Sequence, residues 1–288
     1  GAIAGLNVRL IVNEPTASAL AYGLEKKKEE PIAGYDLGGG TFDAAIIQLR
    51  EGAIQVVNHE GDNHLGGKLV DWDIVDRLLV PHLTQQYKLA DFNRGNPKWI
   101  GAFAKLKGAA EEAKIKLSRK NSTDIAEDSV CTDEEGKPVQ LLLDVSRSQV
   151  EEILEPYLVK TINICRKALE DAHLPASAIA KLLLVGGPTL TPCLRERLKE
   201  PKEGLGVSLE YHIDPLTVVA RGAAIFAGTQ RLEGRVKRTT PAGAYQVQLE
   251  YKPVGPDTDP IVGGNVVSPG VETLDGSTIE FINVGAAP

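Results

Sequence analysis

The sequence contains no methionine, only three cysteines and five histidines, and few aromatic residues. The cysteines Cys131, Cys165 and Cys193 are far apart and form no CxxC pair, so neither a disulfide framework nor a zinc site is indicated. No apolar run approaches the roughly 20 residues that cross a bilayer, and no signal peptide is recognisable. We therefore expect no membrane partner and a cytoplasmic location. Because no initiator methionine is present, we expect a piece of a longer protein.

The charge balance argues against nucleic-acid binding, since 39 acidic residues outnumber 32 basic ones and give a net charge of −7. No basic stripe stands out, so we expect no nucleic-acid partner. Hydrophobic residues make up 42% of the chain and charged residues 25%, which is typical of a folded globular protein.

Short apolar runs alternate with helical periodicity along the first 230 residues, which predicts an α/β protein. The predicted strands are 8–12, 32–36, 41–49, 53–59, 139–145 and 182–185. The predicted helices are 14–24, 71–87, 98–117, 149–172 and 217–230, with a further helix capped by Thr191. Ser146-x-x-Gln149 and Ser148-x-x-Glu151 both have the form of a capping box at the start of the helix 149–172. Residues 32–59 are expected to form an antiparallel meander with a glycine-rich first turn.

The texture of the sequence changes near residue 232, where glycine and proline become dense and helical patterning stops. Alternating patterns at 245–251 and 278–282 predict strands there. We therefore expect one domain over residues 1–232, followed by a linker and part of a β-rich, sandwich-like module over 233–288.

The strongest chemical signal is Asp36-Leu-Gly-Gly-Gly-Thr-Phe-Asp43. Gly38, Gly39 and Gly40 expose backbone N–H groups that suit a phosphate, and Thr41 adds a hydroxyl. Asp36 and Asp43 flank the turn, where carboxylates place Mg²⁺ through its water shell. A tight hairpin capped by aspartates is the alternative, but it needs only one or two glycines.

Two further segments are candidates for ligand contact. Glu111, Lys114 and Ser118 are spaced i, i+3 and i+7, so they share one helix face that could meet a ribose or base, or be an ordinary solvated face. Gly66 and Gly67 resemble a P-loop only superficially, because Gly67 stands where that motif needs lysine. They could approach a ligand through the backbone or simply turn the chain.

Five segments in order resemble the Hsp70 (DnaK-like) chaperone family. They are Asn13-Glu-Pro-Thr-Ala-Ser-Ala-Leu-Ala-Tyr-Gly-Leu24, the glycine turn, Gly61-Asp-Asn-His-Leu-Gly-Gly67, Leu184-Val-Gly-Gly-Pro-Thr-Leu-Thr-Pro192, and Asp214-Pro through Arg221-Gly-Ala-Ala224. The resemblance implies an actin-like ATPase (ribonuclease H-like) fold, of which the chain covers mainly the second lobe. It also implies that the first lobe, with its phosphate loop and lysine, lies upstream of Gly1.

The resemblance implies specific roles for the motif residues. Glu14 corresponds to the glutamate near Mg²⁺ and the attacking water, and Asp36 to the aspartate on the metal's water shell. The segment 38–41 corresponds to the second phosphate loop, and Asp43 to an aspartate that positions cations and water. The implied cofactors are ATP or ADP with Mg²⁺, and K⁺ as a further cation.

The resemblance also places the nucleoside between Glu111, Lys114 and Ser118 on one side and Gly186 and Gly187 on the other. Three positions depart from the family pattern: Pro188 and Leu190 replace the polar residue and the arginine of the adenosine loop, and Leu216 replaces an aspartate. Loss of the arginine removes a cationic stacking partner for the base. The sequence therefore predicts a divergent member of the family.

The function implied is the ATP-binding portion of a chaperone that couples Mg-ATP hydrolysis to polypeptide binding and folding in a stress response. Polypeptide clients and co-chaperones or exchange factors are the implied partners of the whole protein. The chain by itself is expected not to hydrolyse ATP, because half of the cleft is missing. A sugar kinase or another actin-like ATPase, and a pseudo-ATPase scaffold, are the alternatives.

Overall fold

A computed structural model describes residues 2–23, 30–50, 53–230, 246–250 and 263–267. Residues 10–227 form one compact unit, which carries every candidate site residue. Its main sheet has five strands in the order β3-β2-β1-β6-β7. These strands are β1 (Ile32–Leu37), β2 (Phe42–Arg50), β3 (Ala53–Asp62), β6 (Leu182–Val185) and β7 (Leu209–Glu210).

The sheet mixes an antiparallel meander with a parallel extension, as the α/β prediction requires. β1 and β2 are antiparallel, as are β2 and β3, whereas β6 runs parallel to both β1 and β7. Asp36 is opposite Asp43 of β2 and opposite Val185 of β6. The carboxyl ends of β1 and β6 therefore lie at the same edge of the sheet, where the loops that follow them meet.

Helices cover both faces of this sheet. They are α1 (Glu14–Ala21), α5 (Arg147–Asp171), α6 (Pro192–Lys199) and α7 (Val218–Thr229). Successive residues of β2 point to opposite faces, so Ala44 and Ile46 pack in the core that contains α5. Ala45 and Ile47 pack in a smaller core with residues of α1 and α7. β2 is thus buried on both faces.

A second layer extends from the sheet and shares the larger core. Its elements are α2 (Gly67–Ile74), a π-helical segment (Val75–Leu79), α3 (Val80–Gln86), α4 (Ile100–Leu117), and the hairpin of β4 (Ser122–Thr132) and β5 (Pro138–Ser146). The buried face of α4 includes Phe103, Leu106, Ala110, Ala113 and Leu117, apolar residues that recur at spacings of three and four. This layer places α4 beside the start of α2.

Helix starts follow local chemistry in one case and not in the other. At the start of α5 the Ser146 hydroxyl accepts from the Gln149 N–H, and the Gln149 side chain accepts from the Ser146 N–H, which is the predicted capping box. Thr191 stands at the N-cap of α6, but its side chain makes no capping hydrogen bond. Pro192, at the first helical position, sets the backbone there instead.

The prediction of a strand over residues 8–12 was wrong. These residues have no regular secondary structure, and Val8, Leu10 and Ile11 are exposed. A strand needs a hydrogen-bonded partner, which an apolar pattern alone does not supply. The mixed α/β fold itself is confirmed.

The structure describes two short strands in the C-terminal part of the chain. β8 (Gln246–Glu250) lies within the strand predicted over 245–251. It pairs antiparallel with β9 (Gly263–Val267), a strand that the sequence did not predict. The strand predicted over 278–282 lies outside the described residues, and the β-rich module and the boundary at residue 232 remain predictions. Within the described residues, no helix is both long and apolar enough to span a bilayer.

Candidate functional site

The glycine turn between β1 and β2 leaves its backbone open to a ligand. The Gly38 N–H donates to the Thr41 carbonyl over 3.0 Å and closes the turn, while Gly39, Gly40 and Thr41 are exposed. A Cβ atom built on Gly40 would meet nothing within 4 Å. The space beside Gly40 can therefore accept an anion close to the main chain.

The start of α2 supports this turn by donating hydrogen bonds to its backbone carbonyls. The Gly67 N–H donates to the Gly38 carbonyl over 3.0 Å, and the Lys68 N–H donates to the Gly39 carbonyl over 2.8 Å. A Cβ atom on Gly66 would lie 2.5 Å from the Gly40 nitrogen. Gly66 thus permits close packing, and the Gly67 amide holds the turn rather than facing a ligand.

Three carboxylates predicted as site residues line one cavity between α1 and the sheet: Glu14, Asp36 and Asp43. Glu14 is the first residue of α1, and the Asn13 side chain caps that helix by accepting from the Thr16 N–H over 2.9 Å. Burial, followed by the Glu14 and Asp43 charges, raises the pKa of Asp36 to about 7.

Asp43 shows the same influences in weaker form. Burial is the main cause that raises the pKa of Asp43, and the Glu14 charge raises it further, whereas the His59 charge lowers it. His59 also lines the cavity. The three acids therefore form one coupled group, in which a proton or a cation bound at one of them affects the others.

The chemistry of this group fits a hydrated divalent cation. Among the described residues, no three acidic, histidine or cysteine side chains converge closely enough to ligate a metal directly. The like charges of Glu14, Asp36 and Asp43 nevertheless create a repulsion that a cation would relieve. Oxygen donors beside an open glycine turn suit Mg²⁺ held through water.

The loop after β6 packs against the carboxyl end of β1. Gly186 adopts a φ of 89°, and a Cβ atom there would lie 2.1 Å from the Leu37 carbonyl oxygen and 3.3 Å from Asp36 Oδ1. Glycine is required for both the backbone conformation and this close approach. The structure thus brings Gly186 and the adjoining Gly187 beside Asp36 and the end of β1.

Lys114 lies next to the turn, but its ammonium is paired with groups of the chain itself. Its Nζ is 2.5 Å from Oδ1 of the buried Asp71 and donates to the Gly67 carbonyl over 3.1 Å. A Cβ atom built on Gly67 would lie 3.2 Å from Lys114 Nζ and 3.1 Å from Pro188 Cγ. Lys114 and Pro188 therefore meet at Gly67.

The other two predicted contacts on α4 also have partners within the chain. Glu111 faces Lys107, with 3.4 Å between Oε2 and Nζ, and is partly exposed. The Ser118 hydroxyl, at the C-cap of α4, donates to the Ile115 carbonyl over 2.7 Å. Ser118, Lys114 and Thr191 line a small pocket of about 20 Å³, so α4 and the loop before α6 meet there.

The positions that depart from the family pattern are apolar. Leu216 is 67% exposed, and its Cδ2 would lie 3.2 Å from a Cβ on Gly187. Leu190 is half-buried at the end of the 3₁₀ segment Gly187–Leu190. The nucleoside roles assigned to Glu111, Lys114, Ser118 and the loop 186–190 stay predictions.

Two residues of this region escaped sequence reasoning. The sequence predicts Asp71 as the first residue of a helix, whereas it is a buried acid inside α2 that forms an ion pair with Lys114. An acid four residues after a glycine pair offers no signal of burial. His59 is one of five scattered histidines in the sequence, and the pairing of β3 with β2, in which His59 is opposite Ala45, brings it near Asp43.

The family model described as Hsp70 protein matches residues 1–240 of the chain. This range contains the glycine turn, the three carboxylates, α4 and the loop 186–190, so the match covers the whole candidate site.

Proposed function

Because this chain belongs to the Hsp70 family, whose members are ATP-binding chaperone-type ATPases, we propose that residues 10–227 bind Mg-ATP and Mg-ADP. The observation that carries the proposal is the juxtaposition of three acids with one open glycine turn. Phosphates would accept hydrogen bonds from the exposed amides of Gly39 and Gly40, and Thr41 would donate from its hydroxyl.

The three acids would hold the metal ion and a water molecule. Asp36 and Asp43 would hold the water shell of Mg²⁺, which neutralises the phosphate charge and polarises the phosphoryl group. Glu14 projects from the first turn of α1 and is exposed, so its carboxylate can accept a hydrogen bond from a water near the metal. Bound K⁺ would find the same kind of oxygen ligands beside Asp43.

The nucleoside would lie along the line from Gly67 to Leu216. Pro188 and Gly187 supply one wall, and α4, with Glu111, Lys114 and Ser118, supplies the other. Because Leu190 and Leu216 replace charged residues of the family pattern, apolar contact replaces a cationic stack on the base. We propose that this substitution lowers affinity for adenine nucleotides without abolishing binding.

Hydrolysis by this chain alone is proposed to be absent. Burial and the neighbouring Glu14 and Asp43 raise the pKa of Asp36, so this group of acids carries negative charge and supplies no cation to the phosphate. Phosphoryl transfer depends on cationic stabilisation of the developing charge. We propose that the whole protein supplies such groups and couples ATP hydrolysis to polypeptide binding, with co-chaperones or exchange factors as further partners and the cytoplasm as its location.

Isothermal titration of Mg-ADP and Mg-ATP into the chain tests the proposal, with Asp36→Ala as the site variant and Asp76→Ala as its control. Asp76 is exposed and paired with Arg94. Binding that Asp36→Ala weakens at least tenfold and Asp76→Ala leaves unchanged supports the site. Equal affinities of the two variants, or no binding with Mg²⁺ present, contradict it.

A nucleotide-binding scaffold without turnover is the second candidate, and the exposed Leu216 favours it. Phosphate release from the full-length protein separates the two functions. Turnover in the unmodified protein excludes the scaffold. Binding without turnover, with turnover restored by Leu190→Arg, supports it.

A further inference from the structure

The loop that follows β6 packs against the loop between β7 and α7 (residues 211–217). The Gly186 N–H donates to the carbonyl of the buried Pro215 over 3.0 Å. A Cβ atom built on Gly187 would lie 3.2 Å from Leu216 Cδ2. The position of the first loop therefore depends on the second, because the two share a backbone hydrogen bond and a close side-chain contact.

Arg195 of α6 connects the same two loops through its side chain. Its Nε donates to the carbonyl of the fully buried Thr189 over 2.7 Å. Its guanidinium carbon also lies 4.0 Å from the centre of the Tyr211 ring. A guanidinium can stack on an aromatic ring and still donate hydrogen bonds in its own plane. One half-buried side chain thus joins a carbonyl of the first loop to a ring of the second.

The contact of Arg195 reaches the proposed nucleotide site through Thr189. The Thr189 hydroxyl donates to the Gly186 carbonyl over 2.6 Å, and Gly186 is packed against the end of β1 beside Asp36. A displacement of Thr189 would therefore move Gly186 relative to Asp36. Arg195 itself lines neither of the two cavities described above, so it acts on the site through the loop.

We propose that Arg195 is a positioning residue for the nucleotide site: stacked on Tyr211, it holds the loop after β6 in the conformation that borders the nucleoside. Apparent affinity falls with the fraction of the protein in the binding-competent conformation, so loss of this contact should weaken nucleoside binding. Phosphate contacts at the glycine turn should not change, because α2 holds that turn. The effect on the nucleoside rests on the proposed function, whereas the effect on the loop does not.

Amide hydrogen exchange, followed by NMR in the chain without nucleotide, tests the effect on the loop. The Gly186 amide is the reporter, because its hydrogen bond to Pro215 joins the two loops. We expect Arg195→Met and Tyr211→Leu to accelerate its exchange about tenfold, whereas Tyr211→Phe keeps the ring and should leave exchange unchanged. Tyr211 is 38% exposed, so Tyr211→Leu covers the case in which Arg195→Met fails to fold.

Arg197→Met is the matched control on the same helix. Arg197 pairs with Glu155 and Glu203 rather than with either loop. Its removal should leave both the exchange of the Gly186 amide and the affinity for Mg-ADP unchanged.

Titration calorimetry with Mg-ADP and with Mg-pyrophosphate separates the nucleoside from the phosphates. Arg195→Met and Tyr211→Leu should weaken Mg-ADP binding about tenfold and leave Mg-pyrophosphate binding unchanged. A general loss of structure would weaken both ligands. Tyr211→Phe should bind Mg-ADP like the unmodified chain.

Unchanged exchange of the Gly186 amide in Arg195→Met and Tyr211→Leu would overturn the inference, and so would a Tyr211→Phe variant that behaves like Tyr211→Leu. Equal losses for Mg-ADP and Mg-pyrophosphate would show that Arg195 supports the fold and does not position the nucleoside loop. Failure of Mg-ADP to bind the unmodified chain would contradict the proposed function, and the exchange experiment alone would then decide whether Arg195 holds the loop.

Discussion

The carboxylate of Asp71 and the ammonium of Lys114 form an ion pair, with 2.5 Å between Oδ1 and Nζ, that joins α2 to α4. Asp71 is 1% exposed, and burial raises its pKa, while Lys114 lowers it. The same ammonium donates to the Gly67 carbonyl, so the pair connects the helix layer to the loop that supports the glycine turn. Its first role is therefore structural.

Lys114→Met should destabilise the chain by about 2–4 kcal/mol, because it leaves the Asp71 carboxylate buried without its main partner. The lost partner would raise the pKa of Asp71 further. Since stability gained from a raised carboxyl pKa is present at low pH and lost as pH rises, the deficit should be larger at pH 8 than at pH 5. Thermal unfolding at the two pH values measures both effects.

Lys107→Met is the matched control. Lys107 Nζ lies 4.0 Å from Asp71 Oδ2 and also pairs with Glu111. Its removal should cost clearly less than removal of Lys114. Equal losses for the two variants, or a deficit that does not depend on pH, would contradict the assignment of Asp71 to Lys114.

The glycines around the turn should separate stability from binding. Gly66→Ala places a Cβ atom 2.5 Å from the Gly40 nitrogen, so it must displace the turn and should lower the melting temperature by several degrees. Gly40→Ala meets nothing within 4 Å and should leave the melting temperature unchanged. Its methyl group would occupy the space proposed for phosphate, so affinity for Mg-ADP should fall.

Melting curves and titration calorimetry on both variants check this pair. A Gly40→Ala variant that is as destabilised as Gly66→Ala would mean that the turn does not tolerate a side chain anywhere. Unchanged Mg-ADP affinity in Gly40→Ala would place the phosphate elsewhere.

The sequence predicted the elements whose causes are local. The capping box of Ser146 and Gln149 and the strand 182–185 were both found as predicted. Local patterns carry these elements because their hydrogen bonds and apolar contacts involve nearby residues. The carboxylate group was predicted in part, since Asp36 and Asp43 flank one turn.

What the sequence did not predict depends on long-range pairing. The apolar run 8–12 has the pattern of a strand but no partner strand, and nothing in the sequence marks the register shift between Ile46 and Ile47 in the pairing of β2 with β3. Asp71 is buried, and its partner Lys114 comes from a segment far along the chain. Such features follow from how distant segments meet, and propensity and periodicity do not contain that information.

Close packing of α1 on α7 gives a third prediction. A Cβ atom on Gly222 would lie 1.7 Å from the Ala17 carbonyl oxygen, so Gly222→Ala must push the two helices apart. We expect a loss of about 1–3 kcal/mol or more. Gly108→Ala, at an exposed position of α4 with nothing within 4 Å, should instead gain about 0.5–1 kcal/mol. Chemical denaturation of both variants measures the contrast, and a gain in Gly222→Ala would refute the contact.

The last prediction concerns the cost of the acidic group in the free protein. The pKa of Asp36 is raised from 3.8 to about 7, so its contribution to stability is present below about pH 4 and is lost as pH rises through 7. Asp36→Asn should therefore stabilise the chain at pH 8, by on the order of 1 kcal/mol, and have little effect at pH 4. The same variant should bind Mg-ADP more weakly.

Asp144→Asn is a suitable comparison, because the pKa of Asp144 is also raised, through Asp124, but at a fully exposed position. Its effect should disappear in high salt, whereas the effect of Asp36→Asn should persist, since buried charges are screened less. Melting temperatures at pH 4 and pH 8, with and without salt, distinguish the two positions. If Asp36→Asn stabilised the chain equally at both pH values, repulsion among the three carboxylates would not be the cause. If it stabilised the chain only at pH 8 and also lost Mg-ADP affinity, the strain among these acids would be what a bound cation relieves.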